Sequence, residues 1–102
     1  MNLIEQHIDA ISEICRKHQV KELYAFGSVL DENRFRPDSD VDLIVRFEES
    51  LPVEKYFDFY FDCVESLEKM FGRRVDLMIN STIRNKYLRE NIEETKELVY
   101  AA

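Results

Sequence analysis

At 102 residues the chain suits one compact domain spanning residues 1–102, and 45% hydrophobic with 12% aromatic residues is enough for a core without disulfide staples. A net charge of −7 repels polyanions at long range, so direct binding of duplex nucleic acid is not expected, and a phosphate-bearing substrate must be met by local arginines or metal ions. Met1 leads into a polar amphipathic stretch unlike a secretory signal, and no run of about eighteen apolar residues could form a membrane span, so the expected location is cytoplasmic.

Asn2 can cap a first helix over Leu3 to Lys17, with Ile4, Ile8, Ile11 and Ile14 or Cys15 on one stripe. Lys21 to Phe26 reads as a strand that ends at Gly27-Ser28. Residues 28–39 are irregular, with room for one helical turn at the start and Pro37-Asp38-Ser39 as a turn near the end. Asp40 to Phe47 alternates as a strand, with Val41, Leu43, Val45 and Phe47 on one face and Asp40, Asp42 and Arg46 on the other.

Pro52 opens a long helix that runs to Phe71 and stops at Gly72. Its apolar arc, from Phe59 and Met70 round to Phe57 and Phe61, is roughly 200° wide, where one packing face needs about 100°. Most of these aromatics are core, and the excess calls for a further covering surface, either another helix or a partner chain. Arg73 to Ile79 is a second alternating strand, with Asp76 and Arg74 opposite Val75, Leu77 and Ile79. Ser81 can cap a helix over residues 82–95, with Ile83, Tyr87, Leu88 and Ile92 inward. Leu98-Val99-Tyr100 is a short strand or a helix end.

Cys15 and Cys63 sit inside apolar helical patterns and read as small buried hydrophobes. No CxxC or close Cys/His set suggests zinc. His7 and His18, on the first helix and at its end, are not placed for catalysis.

The chemistry-bearing residues converge. Two aspartates two apart on a strand share a face with Cα atoms about 6.5 Å apart. Asp40 and Asp42 repel each other there, and a cation between them relieves this. Oxygen-only ligands suit Mg²⁺, which keeps waters and shares its shell with substrate phosphates. Asp76 from a neighbouring strand completes a set able to hold two Mg²⁺ ions, one activating the attacking oxygen and one steadying a triphosphate. Gly27 lets phosphate approach main-chain N–H groups, and Ser28 adds a hydroxyl.

Gly27-Ser28, eleven further residues, Asp40-Val41-Asp42-Leu43 and a later Val75-Asp76-Leu77 strand resemble the nucleotidyltransferase superfamily of DNA polymerase β. The small size is similar to its minimal nucleotidyltransferase (MNT) branch. The resemblance implies an α+β fold, a small mixed β-sheet with helices packed mainly on one face. It also implies divalent metal on Asp40, Asp42 and Asp76, and a nucleoside triphosphate, ATP, near Gly27-Ser28. Many such proteins are antitoxins of HEPN-type toxins, and AMP transfer to a toxin tyrosine is the implied reaction. Where the family often places Arg-Ala-Arg-Gly after Gly-Ser, this chain has Val29-Leu30-Asp31-Glu32, which leaves Arg34 and Arg36 as the nearby phosphate-binding cations. Two alternatives keep parts of this picture: a small-molecule nucleotidyltransferase, and a protein-binding antitoxin that acts by steric contact.

Overall fold

A computed structural model describes residues 2–79 and 83–102. Four strands, β1 (Val20–Phe26), β2 (Val41–Phe47), β3 (Val75–Ile79) and β4 (Glu97–Ala101), form one mixed sheet in the order β3-β2-β1-β4. β1 runs antiparallel to both β2 and β4, whereas β2 and β3 are parallel. A parallel pair cannot be joined by a tight turn. The crossover is the helix α3 (Tyr56–Phe71), which packs back on the sheet beside α2 (Ile8–Lys17).

The alternation read from sequence defines the core face. Leu23, Ala25, Val41, Leu43, Val45 and Leu77 point to one side, where they meet Ile11 and Cys15 of α2 and Cys63, Leu67 and Phe71 of α3. The expected α+β fold with helices mainly on one face is observed. Both cysteines are buried free thiols, as expected. No helix of the described residues is long and apolar enough to cross a membrane.

Local differences from the sequence reading have identifiable causes. The first helix is broken into α1 (Leu3–Gln6) and α2 at His7, where φ is −121° and the ring Nδ1 donates to the Leu3 carbonyl oxygen at 2.9 Å. Ile4, Ile11 and Cys15 are buried, while Ile8, expected on the same stripe, is 40% exposed. Asn2 caps α1 as expected, accepting from the Glu5 N–H at 2.9 Å. α2 ends without a glycine, through Gln19 at φ 54° and His18, whose Nδ1 donates to the Ile14 carbonyl at 2.7 Å. Pro52 precedes a short 3₁₀ turn (Val53–Lys55) before α3 begins, and Gly72 terminates α3 at φ 68° with its N–H on the Glu68 carbonyl.

The wide apolar arc of α3 divides in two. Cys63, Leu67 and Phe71 are buried, while Phe57 and Phe61 remain 76% and 61% exposed and stack on each other at 6.4 Å. The last helix, α4 (Lys86–Thr95), is capped by Asn85, which accepts from the Leu88 N–H; Ser81, the cap expected from sequence, lies outside the described residues. Tyr87 and Leu88, expected inward, are exposed, and Ile92 alone in α4 is fully buried. α4 leads into the second face of the sheet, where Ile44 and Ile92 are buried apart from the main core and Lys96 Nζ lies 4.1 Å from the Tyr24 ring centroid. The 98–100 segment is a strand: β4 pairs with β1.

Candidate active site

The acidic residues gather at one end of the second face. Because β2 and β3 are parallel, their N-terminal ends lie side by side, and Asp42 is the direct register partner of Asp76. Across β2 on the other side, Asp42 pairs with Phe26, the last residue of β1. Directly after Phe26 the chain turns away in a 3₁₀ turn, Gly27–Leu30. Asp40 is half-buried just ahead of β2, and the Val41 N–H donates to the Arg74 carbonyl at 3.0 Å, which joins the heads of the two strands.

Gly27 has a role that the sequence reading did not anticipate. Its φ is 75°, and a Cβ built there would lie 2.9 Å from Asp42 Oδ2. Real Cβ atoms avoid such a contact, and side chains disfavour this backbone region. The glycine therefore makes space for the Asp42 carboxylate.

The Asp42 carboxyl is pushed above the usual carboxylate range, first by burial and then by the charges of Asp76 and Asp40. The negative charges of Asp76 and Asp40 beside the Asp42 carboxyl make this end of the sheet attractive to a cation. Among the described residues, no three Asp, Glu, His or Cys side chains already converge as a finished metal cage. Two carboxylates in register could hold Mg²⁺ only together with substrate phosphates, a common way for that ion to be bound. Asp42 and Asp76, in register on one face, are the pair best placed to hold it, with Asp40 beside them.

The remaining sequence candidates are more peripheral. Ser28 sits in the 3₁₀ turn, half-buried, and its carbonyl accepts from the Asp31 N–H. Arg34 and Arg36 are exposed in the 31–39 loop, outside the carboxylate row, and Asp38 is an exposed turn residue. Two further residues bear on the site. Tyr60 of α3 donates its hydroxyl to the Leu77 carbonyl at 2.6 Å, and its pKa is raised by burial and then by Asp76. Arg73 makes tertiary bonds to the loop that ends at Asp40. Sequence reasoning placed Tyr60 in an aromatic core run and singled out Arg74 instead, since nothing in a linear pattern shows which arginine faces the loop.

Comparison with known proteins gives the family and the fold. The profile of the nucleotidyltransferase domain family matches residues 8–99. The chain belongs to this family. A nucleotidyltransferase relative from Methanocaldococcus jannaschii, named as a candidate protein adenylyltransferase, is 35% identical over 101 residues, covering 91% of this chain and 96% of that one. A solved structure described as a minimal nucleotidyltransferase superposes with a TM-score of 0.74 at 28% identity and covers 95% of both chains. The same fold, at 15% identity and a TM-score of 0.64, occurs in a complex of a tri-AMPylated Shewanella oneidensis HEPN toxin with an MNT antitoxin, over 98% of this chain and 74% of that one. The nucleotidyltransferase assignment read from Gly27-Ser28, Asp40, Asp42 and Asp76 therefore stands.

Proposed function

We propose that residues 1–102 act as one catalytic unit, a cytoplasmic antitoxin that uses Mg²⁺ to transfer AMP from ATP to a tyrosine of a partner HEPN toxin. The observation that carries this reading is the register of Asp42 with Asp76 on the non-core face, beside a Gly27 that leaves space for the Asp42 carboxylate. The adenylyltransferase naming of the relative and the AMPylated toxin in the neighbouring complex support the acceptor.

In this reading Asp40, Asp42 and Asp76 hold the metal, while Gly27 and Ser28, with Arg34 and Arg36 from the following loop, receive the triphosphate. Bound Mg²⁺ supplies charge neutralisation of the phosphates and eases loss of the acceptor proton. Asp76 is exposed where Asp40 and Asp42 are half-buried, so it is the carboxylate that an incoming hydroxyl meets. The tyrosine oxygen attacks the α-phosphorus, the α–β anhydride bond breaks, pyrophosphate departs and the phenolic proton is released. The exposure of Asp76 at the end of the second sheet face suits a protein segment as acceptor. The exposed Phe57–Phe61 pair offers apolar surface to such a partner.

The same exposed aromatics favour a second reading, neutralisation of the partner by steric contact alone. Incubation with Mg²⁺, ATP and the HEPN protein encoded beside this gene separates the two. Intact-protein mass spectrometry should show one or more AMP increments on the neighbour with the native chain and none with Asp42→Ala. Equal neutralisation by Asp42→Ala without any mass change would establish the steric reading instead.

A further inference from the structure

Arg73 stands between α3 and β3, at the point where the crossover re-enters the sheet. Its Nη1 donates to two backbone carbonyls of a distant loop, Arg36 at 3.0 Å and Ser39 at 3.1 Å. Its guanidinium carbon lies 4.4 Å from the centroid of the Phe35 ring, so the same group stacks on that loop. The loop is closed from within by the Arg36 N–H, which donates to Ser39 Oγ at 3.0 Å. The Ser39 carbonyl belongs to the peptide that carries the Asp40 N–H. The next residue, Val41, is fixed by its own bond to the Arg74 carbonyl.

We infer that Arg73 is a positioning residue for the metal-binding aspartates: it clamps the loop that delivers Asp40 against the head of β3, which delivers Asp76. This rests on the nucleotidyltransferase metal site proposed above. A planar guanidinium can bond two carbonyls and stack on a ring at once, which a lysine cannot reproduce. Asp42 and Asp76 are placed by the sheet ladder, whereas Asp40 lies outside β2 and depends on the loop. Arg73 therefore acts through Asp40.

The sign of the effect distinguishes positioning from simple charge. Removing a cation beside an acidic cluster should strengthen metal binding if only charge mattered. Loss of a positioning partner should weaken it, by about 10–100-fold for groups that orient metal ligands. The test is Mn²⁺ binding to the full chain, followed by electron paramagnetic resonance of the free ion. Native protein, Arg73→Ala, Arg73→Lys, Asp40→Asn and the Arg73→Ala/Asp40→Asn double variant are compared, with melting temperatures as a folding control. Arg73→Ala should weaken Mn²⁺ binding, Arg73→Lys should recover only part of it, and in the Asp40→Asn background the further change should fall to about twofold or less. Phe35→Ala, which removes the stacking partner but keeps the arginine, should weaken binding in the same direction and keeps the test open if Arg73→Ala does not fold.

Tighter or unchanged Mn²⁺ binding in folded Arg73→Ala overturns the inference, as does an effect that multiplies in full with that of Asp40→Asn. A native protein that binds no Mn²⁺ overturns the metal site itself, and the inference with it.

Discussion

Replacing Gly27 with alanine tests the close fit between the turn and the acidic row. The added Cβ must occupy a backbone of φ 75° and would sit 2.9 Å from Asp42 Oδ2. The left-handed conformation costs about 1–2 kcal/mol for a residue with a Cβ. Pushing the Asp42 side chain away from its preferred rotamer adds about 0.5–1.5 kcal/mol. The sum, about 1.5–3.5 kcal/mol, is a large part of the stability of a domain this size. Urea unfolding of native protein and Gly27→Ala, with and without Asp42→Ala, separates the contributions. Removing the Asp42 carboxylate should return the contact part, about 0.5–1.5 kcal/mol, but not the backbone part. Mn²⁺ binding should weaken in Gly27→Ala, because the displaced carboxylate no longer lies beside Asp76. A Gly27→Ala protein of native stability and native Mn²⁺ affinity would refute the reasoning, since neither strain nor contact would then exist.

Three other outcomes are expected. The raised Asp42 carboxyl contributes stability that is present below its unfolded pKa and lost as pH rises through the folded one, so metal-free Asp42→Asn should melt higher than native protein at pH 7. The gap should close on acidification into the carboxylate range, as thermal melts across pH would show. Burial pushes the thiols of Cys15 and Cys63 up to about 12, so iodoacetamide at pH 8 should modify neither in native protein and both in urea, read by mass. By the same linkage their contribution to stability is full below the ordinary thiol value of 9.0 and declines as pH rises from there toward 12. Phe61→Ser, at an exposed position with ring contacts to Phe57 and Tyr60, should cost less than about 1 kcal/mol in urea unfolding yet reduce capture of the HEPN neighbour in a pull-down. Unchanged capture would mean that the partner docks elsewhere.

Much of the architecture was legible because alternation and punctuation are local signals. Val41, Leu43, Val45 and Val75, Leu77 marked the core face, Gly72 marked the end of α3, and Asp42 and Asp76 fell on the opposite face of their strands. What the sequence could not show depends on tertiary placement. That Asp42 and Asp76 are direct neighbours follows from the parallel register of β2 and β3, which no spacing along the chain encodes. Ile44 lies on the face read as polar, and its burial depends on α4 arriving from later in the chain. The helical phase of α4 suggested Tyr87 and Leu88 inward, but that period measures an apolar side and not how much sheet is available to cover it. His7 interrupts the first helix through a side-chain bond to Leu3, a competition that hydrophobic periodicity does not register. Arg73 was grouped with a strand, and its link to the Asp40 loop spans distant parts of the chain.

The placement of α3 between the two parallel strands also sets when the site comes into being during synthesis. β1 and β2 are neighbours in both sequence and space and can pair as soon as both have left the ribosome. Asp40 and Asp42 are then present, but Asp76 is still inside the exit tunnel or on an undocked segment behind α3. β3 lies beyond the crossover helix on one side of the sheet, and β4 flanks β1 on the other. Until β3 has emerged, the nascent chain carries Asp40 and Asp42 without Asp76 as their neighbour.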